Sequence, residues 1–112
     1  MARNPKIDEL VKELIEEIKS SGEYLNFVKY KKEAMEDSEL RQKIERTRMI
    51  RKQLAELPEY EKDSNISEAL VDEYDYLMDT TAVHEFSLAE LGFINLYKDV
   101  IAEIVGSFEI DL

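Results

Sequence analysis

The single histidine, His84, and a dense supply of carboxylates are the side chains with which this chain could do chemistry. A carboxylate-bridged di-iron bundle takes two Glu-x-x-His motifs, and here the residue three before His84 is Thr81. A phosphotransfer histidine needs a cation close by to receive the phosphoryl group. The segment His84-Glu85-Phe86-Ser87-Leu88 supplies none, so a surface or capping role is expected for this ring. A serine or threonine hydrolase would lack both a partner base and a Gly-rich elbow. Asp72, Glu73 and Asp75 are close in sequence, but without a cleft they read as solvated helix faces rather than an acid and a base. A hard cation such as Mg²⁺ takes oxygen ligands alone, so a metal-dependent carboxylate enzyme is the alternative these residue types leave open.

Binding chemistry is better represented. Arg41, Lys43, Arg46, Arg48, Arg51 and Lys52 form a basic cluster. At 100° per residue Arg41, Arg48 and Lys52 share one narrow stripe beside the apolar face, with Arg46 on the opposite flank. Three cations make a weak phosphate footprint, and the rest of the chain opposes it. Residues 1 to 57 carry 13 basic against 12 acidic side chains, a balance of +1. Residues 58 to 112 carry 2 against 14, a balance of −12, and the two together give the net charge of −11. No direct nucleic-acid contact is therefore expected, although a small RNA-contacting protein using this stripe is a second alternative. The arginines are expected to pair with the acidic half, within the chain or across a symmetric dimer.

Composition bounds the fold that must position these groups. One domain spanning 1–112 is expected at this length. The 44% hydrophobic content, regularly spaced, separates the chain from a disordered polyelectrolyte. Zero cysteines remove disulfides, thiolate metal sites and cysteine nucleophiles, and no cofactor is expected. No apolar run approaches the roughly 18 residues of a membrane span, and the first residues lack the apolar stretch of a signal peptide, which predicts a cytosolic protein without membrane insertion. Three glycines and two prolines leave little for turns or sheets, so helix is the default.

The spacing predicts about five helices in an antiparallel bundle or helical-hairpin arrangement, an all-α fold. Asn4 and Pro5 start the first, whose stripe is Ile7, Leu10, Val11, Leu14, Ile15 and Ile18. Ser20 and Glu23 have capping-box spacing for the second, from about Glu23 to Glu36, with Tyr24, Phe27, Val28, Lys31, Ala34 and Met35 inward. Asp37 looks like a cap for the third, though a continuous second and third helix is left open. The third carries Leu40, Ile44, Thr47, Ile50, Leu54 and Leu57 inward until Pro58. Residues 58–66 read as an acidic loop, after which Ser67 caps a fourth helix bearing Ala69, Leu70, Tyr74, Leu77 and Met78. The last helix is long, with Val83, Phe86, Phe93, Ile94, Tyr97, Ile101, Ile104 and Val105 on its stripe. It is followed by a fraying tail over 106–112, whose Phe108, Ile110 and Leu112 are suited to docking. Met49 and Tyr76 fall away from their helices' apolar stripes, which points either to helices buried twice, once in the core and once against another chain, or to scattered surface residues, with oligomerisation the favoured reading. Arg41, Arg48, Lys52, Met49 and Tyr76 are thus the candidate partner-binding residues.

The stretch Ser21-Gly22-Glu23-Tyr24 through Asp37-Ser38-Glu39-Leu40 resembles the S-x-E-Y and D-P-E-L pattern of the YlbF/YmcA family of small bacterial helical proteins. Val83-His84-Glu85-Phe86, with Ala89-Glu90 and Phe93, resembles that family's V-x-E-Y/F-x-x-A-E-x-x-F segment. Ser38 replaces the usual proline, Thr80-Thr81 the usual Asn-Pro, and Gly92 lies inside the last helix. The resemblance implies a non-enzymatic regulator that forms homo-oligomers, dimers or higher, or assembles with family relatives. It also implies action as a specificity factor for the membrane-bound endoribonuclease Y, and so on mRNA decay and maturation, competence, sporulation and biofilm formation. Some of those complexes carry iron-sulfur clusters held by cysteine, to which this chain has no thiolate to contribute.

Overall fold

Capping side chains set most of the helix boundaries. The computed structural model of the chain describes residues 3–108. In α1 (Pro5–Lys19) the Asn4 side chain accepts from the Lys6 amide at 2.8 Å, while Pro5 occupies the first turn. α2 (Gly22–Glu36) is capped by Ser21 rather than Ser20, the Tyr24 amide donating to the Ser21 hydroxyl at 3.2 Å. Ser20 instead closes α1, its hydroxyl donating to the Glu16 carbonyl. Asp37 separates α2 from α3 (Ser38–Glu56): its backbone is extended and its carboxylate accepts from the amides of Glu39 and Leu40, each at 3.1 Å. The second and third helices are therefore distinct, and α3 ends just ahead of Pro58.

Residues 58–66 are not the open loop their charge suggests. Glu59–Glu61 form a 3-10 turn, and α4 (Asn65–Met78) starts with Ser64 as its cap, the Ser67 amide donating to the Ser64 hydroxyl at 3.3 Å. Ser67, expected as the cap, is a buried residue of the first turn. The reason is local: the Ser64 hydroxyl accepts from the backbone amide of Ser67 itself, so the helix is already capped one turn before Ser67. α5 (Thr81–Gly106) is the longest helix and holds to Gly106. Phe108 is exposed, whereas Ile110 and Leu112 lie outside the described residues. Among the described residues there is no strand, and no helix is long and apolar enough to cross a membrane.

The chain groups into two compact units, with α2 and α5 each contributing residues to both. In the unit made by residues 30–88, α3 and α4 pair as a helical hairpin. Its buried apolar residues are Ala34, Ile44, Ile50, Leu77, Val83 and Phe86. The buried Thr47 hydroxyl is satisfied by donating to the Ile44 carbonyl at 2.6 Å, so it enters an apolar setting without an orphaned polar group. The α3 stripe is buried as its periodicity predicts, with Leu40, Leu54 and Leu57 half-buried at its margins.

The other unit, residues 1–29 with 89–112, is held by an aromatic cluster around Phe93. Tyr24 meets it edge-on at 5.2 Å between ring centroids, Phe27 stacks at 5.4 Å and Tyr97 meets it edge-on at 5.3 Å. These geometries suit the ring quadrupoles. The α1 stripe departs from its expected burial: no α1 residue is buried, and Ile7 and Leu10 are each 50% exposed. Ile101, Ile104 and Val105 at the distal end of α5 are likewise exposed. On α2, Val28, Lys31 and Met35 turn outward and Tyr30 is half-buried instead, so the inward face is narrower than the sequence pattern implied.

Candidate interaction surfaces

Elements of the 30–88 unit place the five candidate residues on the outside of α3 and α4. Arg41, Arg48 and Lys52 are exposed, as their stripe position predicts. Met49, 48% exposed, lies a little further round α3, and Tyr76, 75% exposed, stands on α4 while Tyr74 is half-buried. The five do not converge on one point. Arg41, Arg48 and Lys52 form a ridge along α3, and Tyr76 belongs to a different helix.

The structure adds two tertiary contacts of the basic cluster. Arg46 binds Glu73 through two hydrogen bonds, Nε to Oε2 at 2.5 Å and a terminal nitrogen to Oε1 at 3.0 Å, joining α3 to α4. Planar guanidinium and carboxylate match in this two-pronged arrangement. The Arg48 guanidinium sits over the Phe86 ring, 5.7 Å from its centroid, within cation–π range. Arg46 thus bears out the expected pairing with the acidic half. Arg48 meets an aromatic ring of that half. Sequence spacing gave the flank of each arginine but not these partners, since the Arg46–Glu73 pair is 27 residues apart and exists only once α3 and α4 have paired.

The ion pair shifts both partners. The hydrogen bond to Arg46 is the main reason the Glu73 carboxyl lies below the ordinary carboxylate range, and the same bond holds Arg46 above its usual value. A carboxyl depressed on folding contributes stability above its unfolded pKa of about 4.3, and that stability is lost as pH falls through the folded value. Glu73→Gln should therefore lower the urea midpoint at pH 7, with the gap to wild type closing as pH drops below about 4. The gap should be modest, because both side chains remain about 40% exposed. A gap unchanged from pH 7 to 3 would show that the charge of Glu73 contributes nothing.

Two of the recesses are open. One of about 540 Å³ is lined by Lys62, Asp63, Ser67, Glu68, Val71 and Asp72, and one of about 330 Å³ by Gln53, Glu56, Leu57, Ile66 and Leu70. Among the described residues no group of three or more His, Asp or Glu side chains is placed to hold a metal ion. His84 is exposed near the start of α5.

The described residues form an all-α protein that presents a ridge of Arg41, Arg48 and Lys52 and several uncovered apolar side chains. A family model described as "Control of competence regulator ComK, YlbF/YmcA" matches residues 7–107. The chain belongs to this Com_YlbF family, a regulatory one, and its resemblance in the segments around Ser21 to Leu40 and Val83 to Phe93 is part of that match. No curated protein and no solved structure matches the chain significantly.

Proposed function

We propose that this chain is a cytoplasmic, non-enzymatic adaptor that works by selecting and holding other macromolecules. It assembles with itself or with family relatives, and in that form directs endoribonuclease Y toward particular messages, with competence, sporulation or biofilm development as the downstream outcome. The observation that carries this reading is the amount of apolar surface left uncovered on regular helices: the stripe of α1, distal α5, and Met49 and Met35 on α3 and α2. Contiguous uncovered apolar faces rimmed by charge are what interaction surfaces look like. Family membership supplies the regulatory role, and the resemblance to YlbF/YmcA proteins that act with endoribonuclease Y suggests the partner.

Arg41, Arg48, Lys52, Met49 and Tyr76 are the residues assigned to the partner. Arg48 also rests on Phe86, so its reversal would disturb packing as well as charge. The cleaner test reverses only Arg41 and Lys52, both exposed. Binding of the purified cytoplasmic part of endoribonuclease Y, alone and with a family relative present, should weaken about tenfold in the Arg41→Glu, Lys52→Glu double variant. The loss should shrink at high salt, because rim charges act mainly on encounter. Unaltered binding removes the ridge from the account, and no binding by the wild type in either setting overturns the assignment to this nuclease.

A further inference from the structure

We propose that a second copy of this chain covers the bare face of α1, the two α1 helices lying parallel to one another. This deepens the self-assembly reading above and rests on it. Ile7, Leu10, Val11, Leu14, Ile15 and Ile18 occupy an arc of roughly 140° at 100° per residue. None is buried; Val11 and Ile18 are half-buried and the other four are exposed. A regular apolar stripe this wide on a capped helix loses its hydrophobic contribution unless something covers it.

The flanks of the stripe say what that occupant is. One flank holds Asp8, Lys12 and Lys19, and the other holds Lys6, Glu13 and Glu17. Asp8 is engaged by Arg3, Nε to Oδ1 at 2.8 Å, and Lys6 by Glu9 at 3.4 Å. The charges left to face outward are two lysines on one side and two glutamates on the other. A matching occupant presents an apolar stripe with an acidic edge and a basic edge. The α1 helix of another copy does so.

Direction follows from the same charges. In a parallel pair the opposite flanks of the two helices meet, so the lysine edge of each faces the glutamate edge of the other. With the two helices in register, Lys12 then falls about 1.5 Å short of Glu13 of the second copy along the axis, and Lys19 about 3 Å beyond Glu17. In an antiparallel pair like flanks meet, lysines against lysines and glutamates against glutamates. A lipid surface fits less well, since the back of α1 carries Glu9 and Glu16 where membrane-lying helices place lysine and arginine. Fifteen residues give a contact only about 22 Å long, a single-helix seam too small to bury the roughly 1,200 Å² of stable interfaces. The pairing should accordingly be weak and concentration-dependent, unless the exposed Ile101, Ile104 and Val105 of the same unit add to it.

The absence of native cysteine makes the test direct. Ile7→Cys and Ile18→Cys are made separately in the full chain, checked for helix content, and oxidised mildly at about 100 μM, with molecular mass followed by light scattering. Parallel pairing gives disulfide-linked dimers from each variant alone, and Leu10→Glu with Leu14→Glu returns the protein to monomer. Cross-linking only in the mixture of the two variants means antiparallel helices and overturns the proposal. Dimeric mass without any cross-link also overturns it while leaving self-assembly through another face intact. A monomer at this concentration overturns both this pairing and self-assembly. Retention on vesicles of anionic phospholipid without dimeric mass would assign the face to lipid instead.

Discussion

Replacing Ile50 by alanine should cost about 3 kcal/mol of folding stability, the middle of the range for removing most of a buried aliphatic side chain. Ile50 is fully buried on α3, within a unit whose other buried residues are apolar or, like Thr47, internally satisfied. Two terms contribute: the transfer free energy of the lost carbons and the cavity left where neighbouring side chains cannot collapse. Alanine's better helix propensity returns only a few tenths of a kcal/mol. Against a total of roughly 5–15 kcal/mol the loss is large, and a melting-temperature drop of about 10–15 °C is expected from thermal unfolding followed by far-UV circular dichroism. Ile50→Val should cost about 1 kcal/mol. Met49→Ala, at the exposed neighbouring position, should stay within about 0.5 kcal/mol. If Ile50→Ala proves no worse than Met49→Ala, the burial of the α3 stripe is misassigned. The same pair of variants separates stability from partner binding, because only Met49 stands on the outer side of the helix.

Why the α3 stripe was legible and other surfaces were not has a physical reason. Helix starts at Asn4 and Asp37 and the stop before Pro58 follow from local backbone chemistry, in which a side-chain oxygen or a missing amide acts within one turn. Ser64 and Ser67 both satisfy that local rule. The acidic, weakly periodic stretch around them hid the choice, because charge says little about whether a short turn closes. Periodicity reports that a face is apolar, not that the same chain covers it. Hence the stripe of α3 is buried, while the equally regular stripe of α1 and the distal stripe of α5 are not. On the candidate surface, the exposure of Arg41, Met49, Lys52 and Tyr76 could be read from helix angles. The partners of Arg46 and Arg48 could not, since Glu73 and Phe86 reach them only through tertiary packing.

The aromatic cluster of the other unit supports the second large effect. Phe93→Ala should cost about 2–3 kcal/mol. That is less than for a fully buried ring because Phe93 is only half-buried, but it is raised by three ring partners, Tyr24, Phe27 and Tyr97. Removing the shared ring takes away all three contacts together, so the effect is not the sum of separate pairs. With no tryptophan in the chain, Tyr24 and Tyr97 are the reporters closest to the change. Near-UV circular dichroism should fall markedly while far-UV helix content is retained at low temperature. One position earlier the sign reverses. A β-carbon on Gly92 would meet nothing within 4 Å, and the residue lies inside α5, so Gly92→Ala removes a cost of about 1 kcal/mol without a clash. Urea unfolding of the two variants should therefore move the midpoint in opposite directions from wild type. A destabilised Gly92→Ala would mean that something outside this chain approaches α5 at that point, while an unaffected Phe93→Ala would mean that the ring cluster does not hold the unit together.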